Sequence, residues 1–284
     1  MSLFEDLIAR LQRNRIWIAL QFGLTLGLLL VGLAWTRLPE KHVWQAVVSI
    51  VLPLFLLLCV LELEAGTMRG LFDDDGKRVK LVWGAGTLLV WVALYCALWS
   101  MLDWCDDQIP LWAGYLNSKA SSGARATVFT FDHIERWMQL AEWVLRWVVL
   151  PAKLIPWSAA SAQWGWRLPM RRILRLLRNW RWWLGVVIAA LVGVVLPGVL
   201  FSHAPSGSVS AQVWKVVLKL IAVYLLAVGT WVLTLAWAAT LFGREERPCE
   251  EVLVAVPVIS GPPEGELSAK ADVRPPDVSD ESSN

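Results

Sequence analysis

Gln139, Glu142, Arg146 and Lys153 recur at helical spacing and form one polar stripe in an otherwise apolar stretch. Glu142 and Arg146 stand four residues apart, where a carboxylate and a guanidinium meet on one helix face. Ionisable residues inside a membrane span are costly, so they turn toward protein or water. The stripe therefore has two readings. One is a polar pathway or a site for a substrate headgroup. The other is a self-paired bridge that fixes how its helix packs.

Other reactive residue types lead nowhere as motifs. Asp73-Asp74-Asp75-Gly76 suggests a lipid phosphotransferase, but Val79 and Lys80 replace the Ala-Arg that the CDP-alcohol enzymes require. Leu89 and Ala93 fill their later Gly and Asp positions, so the segment reads as a turn. Asp103, Cys105, Asp106, Asp107, Asp132 and His133 are metal-capable types in an expected outer loop, 103–136. Their spacing matches no zinc or calcium pattern. His42, His133 and His203 all fall outside the expected spans, which excludes a bis-histidine haem between helices. There is no Walker loop, no Gly-x-Ser-x-Gly and no His-Glu-x-x-His. The expectation is a protein with no catalytic residues, no metal and no cofactor, and not an enzyme.

The elements that must carry the stripe are membrane helices. Of 284 residues, 57% are hydrophobic, against about 45–50% in soluble domains. The excess is pooled in long blocks. Six spans are expected at about 17–35, 44–63, 81–102, 137–157, 182–201 and 213–241, each long enough to cross about 30 Å of hydrocarbon. Residues 1–16 form an amphipathic interfacial helix, 17–242 the membrane domain, and 243–284 a disordered, acidic, proline-rich cytoplasmic tail. The run 252–259 in that tail is apolar and has two readings, of which the first is favoured: a sticky patch in a disordered tail, or a strand offered to a protein partner. The apolar run after Ile16 is too long for a signal peptide and lacks a small-residue cleavage site.

Charge orients the spans. Arg167, Arg171, Arg172, Arg175, Arg178 and Arg181 directly precede the fifth span, and arginine resists translocation. With both ends inside, the inner segments hold seventeen Lys and Arg, the outer segments five (Arg37, Lys41, Lys119, Arg125 and Arg136). That bias makes 137–157 a span despite its charges, since otherwise the six-arginine block would be exported. Many of the 20 tryptophans stand at or near span ends, where an amphipathic ring suits the headgroup layer. Glu62 and Glu64, at the inner end of the second span, read as snorkelling side chains, and so do Lys215 and Lys219 at the outer end of the sixth. Pro53 and Pro197 are expected to kink their helices, and Pro151 and Pro156 to bend the fourth span.

The chain also repeats itself. Ile8–Trp17 aligns with Ile173–Trp182 at Ile, Arg, Leu, Arg, Asn and Trp, and each copy enters an apolar span. Both copies start inside, so the repeat is parallel, pairing spans one and two with five and six. In the second copy Met170, Ile173, Leu174, Leu177 and Trp180 make an apolar face and Arg171, Arg175 and Arg178 a cationic one. Such a helix lies along the inner interface with its arginines on anionic headgroups.

This elbow, a basic amphipathic helix running into Asn-Trp and a Leu/Gly/Val span, resembles one in little-characterised bacterial membrane-domain families. One is the membrane domain attached to some glycerophosphodiester phosphodiesterases. The resemblance covers about 168–198 and brings no functional residues with it; the soluble phosphodiesterase domain is absent.

The sequence thus implies an all-α protein of a bacterial cytoplasmic membrane, with six spans, both termini inside and two elbow helices. Its expected partners are anionic lipids and a protein met by the tail, with no role for nucleic acid. The favoured function is a scaffold, regulator or accessory subunit at the inner leaflet. The alternative is a small transporter or lipid-translocating protein that uses the polar stripe.

Overall fold

The computed structural model describes residues 3–37, 42–72, 80–121, 130–203 and 208–244, and every element in them is helical. The helices are α1 (Leu3–Arg13), α2 (Arg15–Trp35), α3 (Val43–Phe72), α4 (Leu81–Lys119), α5 (Phe131–Val144), α6 (Leu150–Trp164), α7 (Met170–Arg178), α8 (Trp180–Ala190), α9 (Leu196–Ser202) and α10 (Val209–Arg244). The chain divides into two units, Met1–Glu246 and Arg247–Asn284. The second unit lies outside the described residues, and so do the expected tail from 245 onward and the Asp73–Gly76 turn.

Among the described residues, five helical stretches are long and apolar enough to cross a membrane: Arg15–Trp35, Val43–Phe72, Leu81–Lys119, Trp180–Ser202 and Val209–Gly243. The described residues are thus all helical, with several helices of the length and composition of membrane spans. The stretch 131–164 is continuous helix, but Glu142, Arg146 and Lys153 keep it out of that group.

The expected outer loop 103–136 is a correction. α4 runs on to Lys119 and α5 starts at Phe131, so Asp103, Cys105, Asp106 and Asp107 ride on α4 and Asp132 and His133 on the first turn of α5. Apolar residues at helical spacing explain it. Ile109 and Ala113 are buried on α4 and Ile134 on α5, which gives the extension a packed seam. Thr130 starts α5 by accepting a hydrogen bond from the backbone N–H of His133.

Two helices widen where proline demands it. The π-turns Leu145–Val149 and Leu191–Val195 join α5 to α6 and α8 to α9, directly before Leu150-Pro151 and Leu196-Pro197. Proline lacks an N–H and its ring presses on the carbonyl four residues back, here Trp147 and Gly193. A wider turn relieves both problems without breaking the helix.

The core sits at one end of the bundle. Leu61, Met68 and Leu71 of α3, Ala85 and Leu88 of α4, and Ala152 to Ala162 of α6 pack with Ile173 and Leu176 of α7, Trp182 of α8 and Leu235 to Phe242 of α10. At the other end the apolar side chains of Val43–Phe55, Val195–Phe201 and Val209–Ile221 are largely exposed, as lipid-facing surface is. The packed end is tight. A Cβ on Gly84 would stand 2.6 Å from the Ala162 carbonyl oxygen, so glycine alone lets α4 and α6 approach this closely. The last carbonyls of α6 are answered there: Thr87 Oγ1 reaches Ser161 O at 3.1 Å and Arg69 Nε donates to Ala162 O at 2.9 Å.

Helix breaks fall at Asn14 and Asn179, and Asn179 Oδ1 accepts from the backbone N–H of Arg181 as an N-cap. Each is followed by a docked tryptophan. Trp17 lies against Gly66 of α3, where a Cβ would come within 2.8 Å of its ring. Trp182 is fully buried and donates from Nε1 to Ala152 O at 3.0 Å.

Candidate functional site

The arginine helix has three arcs rather than two. Ile173 and Leu176 are wholly buried in the core. Met170 and Leu174 are exposed at 54% and 58%, and Trp180, past the break at Asn179 at the start of α8, at 66%. Arg171, Arg175 and Arg178 are exposed beyond them. The expected single apolar face is thus divided, and Leu176, which the sequence left off it, is one of its two anchors. Helical geometry gives the reason: at 100° per residue Leu176 and Ile173 fall together, and Met170 and Leu174 fall between them and the arginines. Arg172 is half-buried, and Arg167 and Arg181 are exposed, with the Arg181 guanidinium 5.9 Å from the Trp180 ring centre.

The stripe on α5 and α6 is not one continuous feature. Arg146 pairs through Nε with Glu142 Oε1 and through Nη2 with Asp103 Oδ1, the latter at 2.7 Å. Its guanidinium also lies 4.6 Å from the Trp99 ring centre, and Trp99 packs edge-on against Trp147 at 5.0 Å. Asp103, assigned to a loop by sequence, is therefore the second carboxylate of this cluster. Gln139 is apart, its Nε2 3.4 Å from Glu135 Oε1. Lys153 lies beyond the π-turn, which shifts the helical register, and its ammonium stands 5.6 Å from the Trp183 ring centre.

A second charged site lies at the packed end. Glu64 does not snorkel as expected. Its Oε1 accepts from Gln21 Nε2 at 2.6 Å and its Oε2 from Trp231 Nε1 at 2.8 Å. Thr67 Oγ1 donates to Gln21 Oε1 at 2.6 Å, so residues of α2, α3 and α10 form one network around the carboxylate. Gln21 and Thr67 are buried. The sequence carried a signal for this in the polar Gln21 inside the apolar run Arg15–Trp35.

Glu64 borders a cavity of about 410 Å³ between α3, α4, α6 and α10. Leu57, Val60, Leu61, Met68, Leu88, Val92, Leu154 and Ile155 give it apolar walls, and Trp91, Tyr95, Ser158 and Trp231 add polar or aromatic ones. Trp91 Nε1 is buried and has no hydrogen-bond partner among the described residues. Tyr95 packs against Trp99 at 5.6 Å with the rings tilted by 41°, so the cavity and the Arg146 cluster share a run of rings along α4. Among the described residues, no three His, Cys, Asp or Glu side chains are grouped to hold a metal ion.

Comparisons with protein families, with curated proteins and with solved structures give no match, so no relative lends this chain a function.

Proposed function

We propose that this chain is a non-enzymatic integral membrane protein that organises or regulates a partner at the inner leaflet of a bacterial cytoplasmic membrane. In this reading 131–164 supplies the sixth span, both termini are cytoplasmic, and spans one and two repeat as five and six. The tail meets the protein partner. The arginine helix α7 meets anionic headgroups.

The observation that carries the reading is the three-arc division of α7. Ile173 and Leu176 fix the helix to the bundle, Met170 and Leu174 are left to the acyl boundary, and Arg171, Arg175 and Arg178 are left to the headgroups. The shared elbows at Asn14 and Asn179 support the repeat. The competing transport reading rested on Gln139, Glu142, Arg146 and Lys153. Pairing of Arg146 with Glu142 and Asp103 favours a structural role for that stripe.

The test replaces Arg171, Arg175 and Arg178 by Gln in the full chain and measures anionic-lipid retention in native nanodiscs by mass spectrometry. Each arginine near an anionic surface contributes about 1 kcal/mol, so retention should fall on the order of 100-fold. Retention equal to the unaltered protein would overturn the lipid contact. Deletion of 248–284 should release the protein partner and leave lipid retention intact.

A further inference from the structure

We propose that the cavity beside Glu64 binds a lipophilic monocation, a hydrophobic body bearing one ammonium or similar organic cationic centre, which enters from the bilayer. This goes beyond the inner-leaflet role and does not depend on it.

Four observations lead there. The walls are mostly aliphatic, which suits a hydrocarbon body. The one ionisable carboxylate on the wall, Glu64, is met by Gln21 and Trp231, both neutral. A carboxylate has about four acceptor positions, so two neutral donors leave part of its capacity open and bring it no counter-charge. Trp91, Tyr95 and Trp231 bring three aromatic rings to the same space, and aromatic faces attract cations most strongly where water is excluded. Trp91 Nε1 is buried without a partner, so an ether, ester or hydroxyl oxygen near the cationic centre would satisfy it.

The entrance is lateral. Leu57, Val60 and Val92 line the cavity and are 37%, 40% and 39% exposed on a lipid-facing surface. A ligand dissolved in the membrane therefore reaches Glu64 without crossing the packed end. A native amine-bearing lipid and a dissolved organic cation share this chemistry.

The test is equilibrium binding to the full chain in nanodiscs, with dodecylammonium and the neutral dodecanol as probes. The ammonium should bind saturably and at least about tenfold more tightly than the alcohol. Glu64→Gln keeps the shape and an acceptor for Trp231, and should abolish that preference while the protein still elutes as a single folded species. Val60→Trp fills the mouth, leaves Glu64 in place, and should block both probes. Equal binding of ammonium and alcohol, a preference that survives Glu64→Gln, or unchanged binding in Val60→Trp would each overturn the proposal. Mass spectrometry of the purified protein then separates the sources. An amine lipid that co-elutes with the unaltered protein and is lost in Glu64→Gln marks a membrane ligand. Saturable probe binding with no such lipid marks a dissolved cation.

Discussion

Along α4, Trp99 lies under the Arg146 guanidinium, while Trp91 and Tyr95 line the cavity that Glu64 borders. The two sites are joined by the Tyr95–Trp99 ring contact, yet they are answered differently. Arg146 is met by opposite charge from two helices, Glu142 on its own and Asp103 on α4. Among the described residues, Glu64 is met by dipoles alone, from Gln21 and Trp231, and by a cavity. A buried charge neutralised by its own protein holds helices in register and has no need of a ligand. One solvated only by dipoles keeps its field, and that field is available to whatever enters beside it. The contrast moves the search for a ligand from the stripe on α5 and α6 to the packed end of α3.

The comparison breaks most visibly at Arg146. Arg146→Ala leaves Glu142 without its partner in a site where both side chains are 15% exposed, and breaking such a pair should cost about 3 kcal/mol. Thermal unfolding in detergent reads this. The double variant Glu142→Leu, Arg146→Met should recover most of the loss, because it removes both buried charges. If the double variant is as unstable as Arg146→Ala, the pair does more than hold helices.

Trp231→Phe is the matching change at the other site. It keeps a ring in the cavity wall and removes the 2.8 Å donor to Glu64. The expected loss is about 2 kcal/mol, less than at Arg146 because a neutral donor is removed and not a counter-charge. A loss as large as that of Arg146→Ala would erase the difference between the two sites. The smallest effect belongs to Lys153→Met. Its contact with Trp183 at 5.6 Å is a single cation–π pair, worth about 0.5 kcal/mol. Failure to detect any shift would leave the comparison standing, whereas a loss above that of Trp231→Phe would return Lys153 to the functional stripe.

Much of the helical framework was legible in the chain. Long apolar blocks announced the five helices long enough to span, and Asn14 and Asn179 marked the breaks before α2 and α8. The spacing of Arg171, Arg175 and Arg178 set the cationic arc of α7. Local pattern carries these features, since each depends on residues within a turn or two. The α4–α5 extension was missed because its apolar seam is narrow: Ile109 and Ala113 stand among Asp103, Asp106 and Asp107, which read as a solvated loop. Glu64 was misread for a different reason. Its partners are 43 and 167 positions away in the chain. A carboxylate near a span end looks the same in sequence whether it reaches out to water or in toward Gln21. Only the docking of α2 and α10 on α3 decides between them.

Orientation carries the inner-leaflet role, and it is tested by cysteine accessibility on α7. With Cys59, Cys96, Cys105 and Cys249 replaced, Arg175→Cys places a thiol on the exposed cationic arc of that helix. A membrane-impermeant maleimide should label it in inside-out vesicles and not in intact cells. Labelling in intact cells would put the arginine helix on the outer face and contradict the role proposed for it.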